Sequence, residues 1–234
     1  MENVIAKPQV DFLPKFHGTI FLNDKNIFQT MKSKTLVVAT LAAAFVASVL
    51  AVPLAGAVGS FLAIRNALVQ PQANDLEAKL VTHGLIPQDG SGGAFGYGIL
   101  TSAGLGGIIV ATTHGGVLDS ALQSSAGDPV WHNHYVQLGS DPTNCGANPA
   151  VTDITFESPG KVTVQGNNIQ FDNMPATFTG TNALTGLPTT ITPGTSVGNV
   201  VSFQLAPVFA GSSLVAVCVT NITPAENLKI QSEG

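Results

Sequence analysis

The sequence predicts a mainly β protein: an antiparallel β-sandwich, with a barrel as the alternative, preceded by an N-terminal signal or anchor helix. Three observations carry this. Only 10% of the 234 residues are charged while 44% are hydrophobic. The charged share is well below the roughly 25% of ordinary soluble domains, and the apolar share is too high for a disordered chain. Gly, Thr, Ser, Asn and Val take the place of charge, a mix that favours strands joined by tight turns. Beyond Val130, apolar and polar residues alternate with period two, as in Thr152, Ile154 and Phe156 against Asp153, Thr155 and Glu157. Near the N-terminus, an uncharged apolar run follows a short basic segment.

Taken in order, residues 1–30 carry scattered Phe and Ile without a clear period. They read as an upstream over-extension of the reading frame or a short cytoplasmic tail. Residues 31–57 read as a signal peptide. Met31-Lys32-Ser33-Lys34 is the basic start, Thr35 to Val52 the apolar stretch, Pro53 its break, and Ala55-Gly56-Ala57 the small-x-small cleavage pattern. Cleavage is expected after Ala57, with Ala51 second. A retained membrane anchor is the alternative, because the uncharged run reaches Ile64 and is long enough to span a bilayer. The expected location is therefore secreted or cell-surface.

Residues 58–82 read as a short helical or linker segment: FLAIRNALV, a break at Pro71, then NDLEAKLV with Asn74 as its N-cap. Residues 83–234 form the β domain. AFGYGIL and GIIVATT are strands within a glycine-rich stretch, where glycine implies bulges or close backbone approach. VWHNHYVQL, VTDITFE, KVTV, NIQF, VVSFQL and SLVAVCVT are further strands, with turns at Ser158-Pro159-Gly160 and Gly166-Asn167-Asn168. SLVAVCVT, apolar on both faces, reads as a covered strand. The segment from Thr177 to Gly198 reads as a long excursion with a short strand inside.

From Val58 onward only Arg65, Lys79, Lys161 and Lys229 are basic, against eleven acids, a net charge of −7. So few cations exclude neutralising a phosphate backbone or an anionic lipid surface. No nucleic-acid partner is expected, and membrane contact only through an uncleaved N-terminal segment. The chain has no GxSxG, Walker loop, dinucleotide fingerprint or HExxH, so no catalytic residue is assigned and no enzyme is evident.

Cys145 and Cys218 are both in the exported part, where one disulfide is the default. No His follows Cys218, which excludes a blue-copper site. His83, His114, His132 and His134 fall in one third of the chain. In the strand His132-Asn133-His134 both imidazoles share a face, as two ligands gripping Zn or Cu would. His114, or failing it His83, supplies a third. The competing reading is a core-directed face, since Val130, Val136 and Leu138 lie on the same side. Gly127, His132 and His134 partly resemble the first cupin motif over about a dozen residues. The motif's Glu is absent, Leu138 standing nearest its place. Cu/Zn superoxide dismutases also carry an HxH on a β-sandwich, but with later histidines that this chain lacks. Trp131 and Tyr135, on the opposite face, are candidates for stacking on a ligand such as a sugar ring.

These features lead first to an exported cell-envelope or extracellular protein with a structural or binding role, with envelope or self-association partners. The second reading is a secreted Zn- or Cu-binding domain, with metalloenzyme activity open.

Overall fold

The computed structural model describes residues 59–231. The expected signal or anchor at Met31–Ala57, and residues 1–30 before it, lie outside the described residues. The described chain is mainly strand, with almost no helix. In order these are β1 (Ile64–Pro71), β2 (Asp75–Thr82), β3 (Phe95–Thr101), β4 (Ile108–Thr113), β5 (His132–Ser140), β6 (Pro149–Ile154), β7 (Lys161–Gln165), β8 (Asn168–Pro175), β9 (Phe178–Thr181), β10 (Pro188–Ile191), β11 (Val197–Ala210), β12 (Ser213–Pro224) and β13 (Leu228–Ile230). Single 3-10 turns lie at Ser60–Leu62 and Gly104–Gly106.

Six strands close into a barrel in the order β11-β12-β6-β5-β4-β3. Five more form an open sheet, β13-β1-β2-β8-β7, and β9 pairs with β10 in a two-stranded ribbon. All pairings are antiparallel except β1 with β13. The mainly β prediction holds, with sheet-on-sheet packing and a closed barrel in one molecule.

The two packing layers follow from period two. On β4 and β5, Val110 and Val136 join Ile154, Val201, Phe203 and Val219 in the barrel interior. Their neighbours Ile109, Ala111 and Tyr135 face the other way. With Phe95, Tyr97 and Ile99 of β3 they pack on Ala67, Val69, Leu76, Leu80, Ile169 and Phe171 of the open sheet. Each strand of this wall is therefore buried on both faces, as the burial of all six residues of β4 records. Glycine in β3 serves close packing. A Cβ on Gly96 would collide with the Ala111 carbonyl and stand 2.8 Å from the Phe203 ring.

Two expectations are corrected. The segment 58–82 holds no α-helix: 64–71 and 75–82 are the paired strands β1 and β2. Leu, Ala, Glu and Lys favour helix, but Leu76, Ala78 and Leu80 alternate with Glu77 and Lys79 and bury one face. Pro71 ends β1 before the turn in which Gln72 N–H donates to Asp75 O at 2.9 Å. In the strand SLVAVCVT, only Cys218 and Val219 are buried, and Val215 is exposed. The apolar first half belongs to an extension of the β11–β12 hairpin past the barrel. The excursion 177–198 resolves into the β9–β10 ribbon.

Cys145 and Cys218 are bonded, with Cα atoms 5.4 Å apart across 73 residues of sequence. The bond ties the loop after β5 to β12, where the β12–β6 pairing is confined to Cys218 and Ala150.

Candidate metal centre

His114 follows directly on β4, and His132 and His134 are alternate residues of β5. Register sets Thr112 opposite His132 and Val110 opposite His134. Both β5 imidazoles therefore enter the barrel beside β4, and all three histidines are buried. The loop 114–131 brings a fourth group, Asp119, which sequence reasoning missed.

Four side chains converge. His114 Nε2 and His132 Nε2 are 3.2 Å apart. Asp119 Oδ2 is 3.2 Å from His114 Nε2, while Oδ1 is 3.5 Å from His132 Nε2 and 3.8 Å from His134 Nε2. Ligands about 2.1 Å from one tetrahedral ion stand about 3.4 Å from each other. His114, Asp119 and His132 satisfy that spacing as a group, and His134 extends it through Asp119.

The proton inventory strengthens the case. His132 Nδ1 donates to Val130 O at 2.8 Å and His134 Nδ1 donates to Thr155 O at 2.6 Å. A carbonyl can only accept, so each ring carries its proton on Nδ1 and in the neutral form turns a lone pair inward at Nε2. A backbone carbonyl on the far nitrogen is how proteins orient metal-binding histidines. His134 Nε2 and Asp119 Oδ1 are both buried without a hydrogen-bond partner among the described residues. Acceptors facing acceptors need a proton donor or a cation between them.

A proton fits this role poorly at His134. Burial lowers its pKa, with the Asp119 charge only partly offsetting, to about 4. For Asp119 burial pushes upward, but the surrounding imidazoles of His114, His132 and His134 outweigh it, holding the carboxyl well below its ordinary range.

Asp119 is held by its own loop. Gln123 Oε1 accepts from the backbone N–H groups of Asp119 and Ser120, at 3.0 and 3.2 Å. Gln123 Nε2 donates to Val117 O and Asp128 O, at 3.3 and 3.2 Å. Ala121 N–H donates to Phe156 O at 2.9 Å, fastening the loop to the barrel.

A cavity of about 60 Å³ lies on the His134 side of Asp119, and a smaller one of about 30 Å³ on the His114 side. The larger is lined by Thr112, Asp119 and His134 at one end and by Val136, Phe203 and Val219 among its apolar walls.

The other sequence candidates lie elsewhere. His83 does not substitute for His114: its Nε2 stands 2.9 Å from Glu226 Oε1, and both residues are about half exposed. Trp131 and Tyr135 are not a stacking platform. Tyr135 is fully buried and its hydroxyl donates to Pro175 O. The Trp131 indole donates to Pro87 O at 3.1 Å and stacks on Tyr97. Both rings are packed between barrel and open sheet, because the face opposite the histidines is the one the open sheet covers. No family model, no curated protein and no solved structure matches the chain.

Proposed function

We propose that this chain is an exported metal-binding protein whose barrel holds one divalent transition-metal ion through His114, Asp119, His132 and His134. The observation that carries the reading is that His114, Asp119 and His132 bring ligand atoms to mutual ligand spacing, with the unpartnered His134 Nε2 3.8 Å from Asp119 Oδ1. By sequence alone the His-x-His strand ranks behind a structural role. The carboxylate of Asp119 reverses that order, because it adds an anionic ligand where the histidines meet. Three imidazoles and one carboxylate are borderline donors suited to Zn or Cu, and the affinity order of divalent metals favours the same two. Export is supported by the Met31–Ala57 signal pattern and agrees with the disulfide. Elemental analysis of the purified exported chain tests the reading. It should find one Zn or Cu per chain, lost in His132→Ala. Less than a tenth of an equivalent of any transition metal, after reconstitution with each in turn, would refute it.

A further inference from the structure

We infer that the barrel cavity is a binding site for a small aliphatic monoanion, a short-chain carboxylate, whose charged head sits between the metal position and Thr112 and whose tail lies along Val136 and Phe203. This rests on the metal reading above and adds the ligand class.

Thr112 Oγ1 is buried without a hydrogen-bond partner among the described residues, as are Asp119 Oδ1 and His134 Nε2, and all three line the same cavity. Metal ligation accounts for Asp119 and His134. It does not account for a hydroxyl, which needs an acceptor for its proton. Thr112 lies opposite His132 on the neighbouring strand, so that acceptor belongs at the metal. A carboxylate head supplies one oxygen to the ion as a fifth ligand and turns the second to the Thr112 hydroxyl.

Charge selects a monoanion. A divalent ion with three neutral imidazoles and one carboxylate leaves a net +1 in a buried site. Buried net charge is costly unless it is paired. One negative head brings the site to neutrality, whereas a dianion would overshoot.

Shape selects a short apolar tail. Beyond the polar end the walls include Val136, Leu138, Phe203 and Val219. At about 60 Å³ the cavity is small, which restricts the ligand to a short tail. Leu184 lines it and is 45% exposed, so the cavity reaches the surface and a ligand can enter.

Co(II) is the probe metal, because its visible bands respond to a new ligand. The exported chain loaded with Co(II) is titrated with acetate, propionate, butyrate and decanoate. Affinity should rise about 4-fold per added CH₂ as far as butyrate, from about 0.8 kcal/mol per buried methylene, then stop rising. At saturating Co(II), Thr112→Val should weaken butyrate about 5- to 10-fold. Co(II) bands that appear but answer all the acids equally would overturn the inference and leave the metal reading standing, since water or hydroxide would then be the occupant. Acids that strip Co(II) without forming a ternary complex would overturn it too. No Co(II) uptake at all would overturn both readings together.

Discussion

Asp119 Oδ1 and His134 Nε2 face each other across 3.8 Å, each buried and each an acceptor. Two lone-pair donors in that arrangement are matched to a cation and mismatched to one another. The consequence is a split between metal affinity and metal-free stability. Asp119→Asn keeps the shape, removes the anionic ligand and supplies an amide N–H₂ that can donate to His134 Nε2. Metal affinity should fall at least 100-fold, while the metal-free chain keeps its stability or gains about 1 kcal/mol from the new hydrogen bond. Competition with a chromophoric chelator and urea denaturation of the chelator-treated protein give the two numbers. A metal-free variant clearly less stable than the parent would show that Asp119 has another role in the fold.

The pH dependence of the metal-free chain follows from His134. Burial lowers its pKa to about 4, against an ordinary value near 6.5. Below about pH 6.5 the unfolded chain takes up a proton that the folded chain refuses, so its contribution is complete above 6.5 and is lost as pH falls toward 4. The loss is about 3 kcal/mol at most. Asp119, also lowered, adds a second loss only below its ordinary value of 3.8. Denaturation of chelator-treated protein at pH 7, 5.5 and 4.5 should show the decline, and His134→Gln should flatten it. Bound metal shifts the balance further, because ligands must be deprotonated to bind.

Gln123 touches none of the ligand atoms but holds the loop that presents Asp119, through the Asp119 backbone among others. Its amide serves two backbone donors and two carbonyls. Gln123→Ala leaves these groups unpaired in a buried loop, at a cost of about 2–3 kcal/mol. Metal affinity should drop about 10- to 100-fold, the size seen when an outer partner of a metal ligand is removed. Excess metal should restore full occupancy, which separates misplacement of Asp119 from loss of a ligand. A variant with parental affinity would mean that the loop is held by its other contacts.

Much of this molecule is legible in sequence where two-residue alternation meets one wet face or one core face. The strands β6, β7, β8 and β11 and the shared face of His132 and His134 are of this kind. The hairpin β1–β2 was hidden because Leu76, Glu77, Ala78 and Lys79 have helix-forming side chains, and only pairing with β8 decides for strand. Trp131 and Tyr135 looked available because a strand pattern does not say which face a second sheet covers. Asp119 lies in a loop, where periodicity carries no signal. One cue was present: it is the sole charged residue between Asp89 and Asp128, five positions after His114. A single acid in so uncharged a stretch, close to a histidine, is a cue that periodicity cannot supply.

The disulfide and the export signal make a joint prediction. Cys145–Cys218 joins the β5–β6 loop to β12 at the narrowest seam of the barrel, where Cys218 and Ala150 are the paired residues. Closing a loop of 73 residues contributes about 4 kcal/mol in the chain-entropy model. The ligands of the candidate centre lie on β5 and in the loop between β4 and β5, away from this seam. The double variant Cys145→Ala, Cys218→Ala should therefore lose up to about 4 kcal/mol in urea denaturation and still bind one equivalent of metal. Chain made with the Met31–Ala57 signal in its natural host should carry the bond, seen as one linked species in non-reducing peptide mapping, and should begin near Val58. A natural product that retains Met1 to Thr30, with two free thiols, would place the protein in a reducing compartment and remove the export half of the proposal. The metal half would remain to be judged on its own titration.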